Sequence, residues 1–257
     1  MADYVMLEDV NTWYDEAGEG DPLVLLHPGG AGVDARALRP NFGPLARRFR
    51  VYTPERRAHG RTPDVAGPIT YEAMAQDTIA FIETVVGRPA HLAGVSDGGI
   101  VALYVALRRP DLVHRLVLVA SVFHFDGWLS HVLDSATEPP AFLERLYSEI
   151  SPDGPEHYPV VVNKLATMHT SGPTLTTDDL SGVRSRALVM VADDDEVALE
   201  HAIAAYRALP DAELMVVPGT SHGLLVEKPD LCNQVIVEFL ANDPVTLMAP
   251  VRRAATG

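Results

Sequence analysis

Gly94-Val95-Ser96-Asp97-Gly98-Gly99 sets a serine between a short apolar segment, Ala90-His91-Leu92-Ala93, and a helical run from Ile100 to Arg108 that stops near Pro110. A G-x-S-x-G pattern at a strand-to-helix junction is a nucleophile elbow: the glycines let the turn close and leave the serine hydroxyl exposed. The pattern alone recurs by chance, and a structural glycine turn is the bland reading. The flanking strand and helix favour the elbow.

The rest of the chain repeats the same rhythm. Leu23-Val24-Leu25-Leu26, Phe49 to Thr53, Arg115 to Ala120, Arg186 to Val191 and Leu214 to Val217 read as buried strands. Helical patterns occupy Leu38 to Arg48, Tyr71 to Val86 and Pro229 to Leu240. Strand and helix in alternation predict an α/β fold, a mostly parallel sheet flanked by helices on both faces. One stretch departs from it. Residues 121–184 carry Pro139, Pro140, Pro152, Pro155, Pro159 and Pro173 and no convincing central strand. We read 121–184 as a small helical cap inserted in a single domain whose core is 1–120 and 185–257. Its apolar residues include Phe123, Phe125, Trp128, Leu133, Phe142, Leu146, Tyr147, Tyr158 and Met168. Most are expected to pack the cap, with Phe125 and Trp128 as candidates to face substrate.

Composition narrows the function. The 257 residues carry a formal charge of −15, from 35 acidic and 20 basic side chains, which disfavours a nucleic-acid partner. A single cysteine rules out an intramolecular disulfide, and Cys232, in the last helix, reads as a small buried hydrophobe. The first residues show no leader pattern and no run is long enough to span a membrane, so a cytoplasmic protein is expected. The oligomeric state is left open.

A serine needs a base, and the base an orienting carboxylate. His222, in Pro218-Gly219-Thr220-Ser221-His222-Gly223, follows the last strand in a glycine-flanked loop; His59 is the nearest competitor but precedes the serine. The acid lies within Asp193-Asp194-Asp195-Glu196, where spacing alone does not choose. This run reads as solvated rather than metal-binding. Oxyanion donors are expected from the backbone N–H of Asp97, after the serine, and of Gly29 in His27-Pro28-Gly29-Gly30, with Gly30 behind it. A phosphate-binding loop fits poorly there, since neither a lysine–serine pair nor G-x-G-x-x-G follows the strand.

From about Asn11 to Leu240 the chain resembles the α/β-hydrolase fold family. His27-Pro28-Gly29-Gly30 is similar to its oxyanion loop, with Pro28 where glycine is usual. Glu55 to Thr62 is similar to its D-x-R-G-x-G-x-S loop, with Glu55 and Ala58 as departures; that loop is mainly structural, which lowers His59 further. The family's G-x-x-D motif falls on Ala192 to Asp195 and selects Asp195 as the triad acid, and its terminal G-x-x-H falls on Gly219 to His222. Ser96 stands where the family's dehalogenases and epoxide hydrolases carry aspartate. Val95-Ser96-Asp97-Gly98-Gly99 resembles the elbow of the valacyclovir-hydrolase-like group, where that aspartate helps bind a substrate α-ammonium. Capping the elbow helix is the other role for Asp97.

The expected activity is hydrolysis of a small-molecule carboxylic ester or lactone by Ser96, His222 and Asp195, without metal or organic cofactor. Gly30, Asp97, Phe125 and Trp128 are the candidate substrate contacts. Amide or carbon–carbon hydrolysis, hydroxynitrile-lyase chemistry and a non-catalytic receptor for a small ligand remain alternatives on the same scaffold.

Overall fold

The computed structural model describes residues 2–130, 132 and 139–250; Leu133, among the cap residues named above, lies outside them. Eight strands form one sheet among the described residues. They are β1 (Asp3–Leu7), β2 (Val10–Ala17), β3 (Pro22–Leu26), β4 (Arg50–Pro54), β5 (Ala90–Val95), β6 (Val113–Val119), β7 (Arg186–Asp194) and β8 (Ala212–Ser221). Their order across the sheet is β1-β2-β4-β3-β5-β6-β7-β8. All pairings from β4 to β8 are parallel, whereas β1–β2 and β2–β4 are antiparallel.

The apolar runs are continuous because both sheet faces are covered. Side chains alternate across the pleat: Leu23, Leu25, Ala93, Val95, Val117 and Val119 face one apolar cluster, and Val24, Leu26, Leu92, Leu116 and Leu118 face the other. The first cluster is closed by α1 (Arg39–Ala46) and the final helix, where Cys232 is fully buried beside Ile236 and Phe239. The second is closed by α2 (Tyr71–Phe81) and α3 (Asp97–Arg108). Thr70 caps α2 by accepting from the Ala73 N–H, and the helical run continues through Ile82–Val86 to Gly87, which adopts φ 68°.

The β1–β2 hairpin is additional to the elements read from sequence. It turns at Glu8, with φ 50°, and carries no glycine to announce the turn. Between β6 and β7 lie α4 (Ala141–Ile150), α5 (Tyr158–Ser171) and α6 (Thr177–Leu180). Tyr147, Tyr158, Val161, Leu165 and Met168 of α4 and α5 bury into the second cluster, so this segment shares the core. Polar ties hold it as well. Arg36 donates to the Leu146 carbonyl and to Glu149, and the Asp64 carboxylate accepts from Lys164 Nζ at 2.6 Å and pairs with His157 at 2.8 Å. After β7 come α7 (Leu199–Ala208), then α8 (Leu224–Glu227) and α9 (Pro229–Ala241) beyond β8. No helix among the described residues is long and apolar enough to cross a membrane.

Candidate active site

β5 ends at Val95 and α3 begins at Asp97, leaving Ser96 alone in the turn with φ 53° and ψ −122°. That conformation costs roughly 1–3 kcal/mol and persists only where the surroundings over-determine it. They do so here. The Ser96 N–H donates to the Val119 carbonyl at 2.8 Å, and its carbonyl accepts from Gly99, Ile100 and the Ser121 hydroxyl. The glycines are required by contact. A Cβ on Gly94 would meet the backbone of Gly98, and one on Gly98 would meet the carbonyl oxygens of Leu26 and His27. Gly98→Ala is therefore expected to destabilise the protein by about 1–3 kcal/mol, although alanine is otherwise the better helix residue. A urea midpoint at or above that of the parent would contradict this.

The elbow opens into a cavity of about 910 Å³ at the carboxyl ends of the strands. Ser96, Asp97, Gly29, Gly30, Trp128 and His222 all line it, and Phe142, Leu143, Leu146 and His169 of the 121–184 segment form the facing wall. Phe125, an expected substrate contact, is not on this lining. It stacks on His124 with ring centroids 4.5 Å apart and packs against the core, because the short helical turn Phe125–Gly127 directs it there. Trp128 follows that turn and does reach the cavity. Its ring stands edge-on to His222, centroids 5.8 Å apart, and its indole N–H is buried without a hydrogen-bond partner among the described residues.

His222 lies just beyond β8, and its Nδ1 is 2.7 Å from Asp195 Oδ1. Asp195 also accepts from the Ala192 N–H at 2.9 Å and the Val197 N–H at 3.2 Å, so the loop after β7 aims the carboxylate. Burial would raise the Asp195 pKa, but His222 and the two backbone donors outweigh it and hold the carboxylate below its ordinary range. Burial likewise pulls His222 down, and the bond to Asp195 reverses the sign, leaving its pKa raised above 6.5. The neighbouring acids have other duties: Asp193 accepts from the Thr220 N–H, and Glu196 is half exposed, 3.9 Å from His222 Nε2. No hydrogen bond among the described residues joins the Ser96 hydroxyl to His222. Such contacts commonly tighten only when substrate is bound.

The loop after β3 is held by contacts that sequence does not reveal. His27 is fully buried and held neutral by burial and by Arg56; its Nε2 accepts from the Arg56 N–H, while Arg56 also donates to the Pro28 carbonyl at 2.9 Å. These bonds hold Pro28-Gly29-Gly30 beside the elbow. Gly29 is needed there because a Cβ would collide with Asp97 Oδ2. Asp97 is the first residue of α3, so its backbone N–H has no intrahelical acceptor. His59 sits apart from the cavity, with no exposed surface, and burial pulls its pKa down to about 4.

The Asp97 side chain lines the cavity but does not cap the elbow helix. No side chain caps α3. The carboxylate is 2% exposed and already engaged: Oδ1 accepts from the Tyr71 hydroxyl at 2.8 Å, and Oδ2 pairs with His169 Nε2 at 2.9 Å. Burial would raise its pKa, but His169, Arg56 and Tyr71 hold it well below the carboxylate range. An incoming ammonium would have to compete with His169 for Asp97 Oδ2. Tyr71, Arg56 and His169 were not candidates from sequence, because they come from three separate segments and belong to no spaced motif. Among the described residues, no group of three or more His, Cys, Asp or Glu side chains is placed to hold a metal ion.

Comparison with known proteins places the fold. A sequence model described as the alpha/beta hydrolase family matches residues 23–235. The chain is 24% identical over 254 residues to a provisionally named carbamate hydrolase RutD of Azorhizobium caulinodans, covering 90% of this chain and 95% of that protein. It is 24% identical over 247 residues to the serine hydrolase BPHL of Homo sapiens, covering 92% and 85% respectively. Among solved structures, a serine hydrolase involved in carbazole degradation superposes with a TM-score of 0.79 at 24% identity, covering 94% of this chain and 98% of that one.

Proposed function

The chain belongs to the alpha/beta hydrolase family, and we propose that it is a serine hydrolase that cleaves a small-molecule carboxylic ester or lactone through an acyl-enzyme. The observation that carries this reading is the 2.7 Å bond from His222 to Asp195 at the rim of the cavity that Ser96 lines. A receptor for a small ligand has no use for a buried carboxylate that orients a histidine on the same cavity as an elbow serine.

In this mechanism His222 removes the Ser96 proton as the oxygen attacks the carbonyl, and Asp195 stabilises the imidazolium that forms. The negative charge on the carbonyl oxygen meets the backbone N–H groups of Asp97 and Gly29. His222 then protonates the leaving alcohol, and water repeats the sequence to release the acid. The helices of 121–184 act as a cap that limits water and shapes the acyl site. Relatives named as hydrolases support the reaction class; the ester or lactone bond is our reading of the serine site.

Intact-protein mass after treatment with a fluorophosphonate tests the reading. One adduct is expected on the parent protein, none on Ser96→Ala, and strongly slowed labelling of His222→Ala. An unlabelled but folded parent would refute an activated serine.

The pH dependence has a defined sign. His222 acts as a base only when neutral, and its pKa is raised above 6.5 by Asp195. Activity should therefore be full in mildly alkaline solution and fall as pH drops through a value above 6.5. The kcat/KM profile of an ester checks this; an acid limb centred well below 6.5 would contradict it.

A further inference from the structure

Behind the nucleophile, three charged groups form an array that the reaction above does not use. Asp97 is flanked by His169 from α5, at 2.9 Å, and by the buried Arg56. Asp97 favours the charged form of both Arg56 and His169. The adjoining histidines, His27 and His59, are kept neutral by burial and by the guanidinium. Asp34, another acid on the cavity lining, is committed to Arg36 through paired contacts of 2.9 to 3.1 Å. When His169 is protonated, the form that its 2.9 Å contact with Asp97 favours, two cations share one anion in this wall.

Unspent donors accompany that charge. Arg56 Nε and Nη1 are buried without hydrogen-bond partners among the described residues. His169 lines the cavity with its side chain 20% exposed, and the ring nitrogen not bonded to Asp97 has no partner among the described residues. A protonated imidazole carries an N–H on each nitrogen, so a charged donor is offered to the cavity. A buried net charge with a free donor is costly unless an acceptor of opposite charge arrives.

We propose that the cavity selects a substrate that carries a carboxylate in addition to its scissile carbonyl, bound through His169, with Arg56, Asp97 and His169 together supplying the compensating charge. The inference deepens the hydrolase reading and rests on it for where the scissile bond lies. It also inverts the preference expected from the elbow: the carboxylate that would take an ammonium is already paired, and the free donor at this wall is His169, while Glu196, the half-exposed acid on the same cavity, stands by His222 at 3.9 Å from Nε2. Arg39, an exposed cation on the same cavity, has no ion-pair partner among the described residues, but water screens it.

The test pairs anionic and neutral esters of equal length: monomethyl succinate, glutarate and adipate against methyl butyrate, valerate and hexanoate, with norvaline methyl ester as the ammonium case. The best anionic ester should exceed its neutral partner by about 10- to 100-fold in kcat/KM, the worth of one charge-assisted bond. His169→Gln, which keeps an amide N–H for Asp97, should abolish that ratio, mainly by raising KM for the anionic esters. Arg39→Gln should change the ratio by less than about threefold. Calorimetry of the anionic esters on folded Ser96→Ala, with and without His169→Gln, reads the same selectivity without turnover. Binding of an anionic ester that His169→Gln weakens by about tenfold supports the proposal even if no serine adduct forms, in which case only the hydrolase reading fails. Equal ratios across all three pairs, binding indifferent to His169, or preference for the amino ester would overturn it.

Discussion

Replacing Ser96 by alanine is expected to lower kcat/KM for any ester substrate by about 10⁴- to 10⁶-fold with little change in stability. The physical reason is that, in the proposed mechanism, the hydroxyl is the attacking group and holds little structure. Ser96 is fixed by its backbone, through bonds to Val119, Gly99, Ile100 and Ser121. Alanine meets the same strain at φ 53° that serine does, so removing the oxygen leaves the elbow as it was. The thermal midpoint should stay within a few degrees of the parent's. Steady-state kinetics and a melting curve on the same preparation decide the matter. Residual activity within tenfold of the parent would assign the nucleophile elsewhere, whereas a collapsed midpoint would show that the hydroxyl holds structure.

Asp195→Asn should cost about 10³- to 10⁴-fold in kcat. The carboxylate accepts on both oxygens: Oδ1 takes His222 and the Val197 N–H, and Oδ2 takes the Ala192 N–H. An amide has one acceptor oxygen, so either orientation turns an NH₂ group toward a backbone donor. If the amide NH₂ faces His222, Nδ1 must become an acceptor and Nε2 carries the proton, which is the wrong tautomer for a base facing Ser96. The same change removes the charge that raises His222, so the acid limb of the remaining activity should move to lower pH. Asp193→Asn is the internal control. Asp193 is exposed and serves the Thr220 N–H at 3.1 Å, and its loss should cost less than about threefold. Equal losses at the two positions would leave the choice of acid undecided by this geometry.

The element order was legible because it rests on local rules. Apolar runs too continuous for a one-faced sheet identified the parallel strands, and the glycines around Ser96 marked a turn that larger residues cannot make. The β1–β2 hairpin escaped because its turn at Glu8 uses a left-handed non-glycine residue. Within the site, legibility followed spacing. Ser96, His222 and the acidic run could be named from the loops they occupy, but choosing Asp195 by residues alone was beyond a pattern of consecutive acids. In space, the loop N–H groups of Ala192 and Val197 grip one of them and turn it to His222.

By itself, then, the sequence determined the α/β architecture, the strand-to-helix turn at Ser96 and the loops from which a base and an acid could come, since each depends on residues close in the chain. Tertiary structure alone decided what surrounds them. Phe125 packed, partly buried, against the core while Trp128, three residues later, reached the cavity. Asp97 found its partners in Tyr71, Arg56 and His169, drawn from 26 to 72 positions away for the two that bond it directly. No local propensity links such residues. The charge of the cavity wall is a sum over groups that only folding brings within a few ångströms, and burial then strengthens each of their interactions.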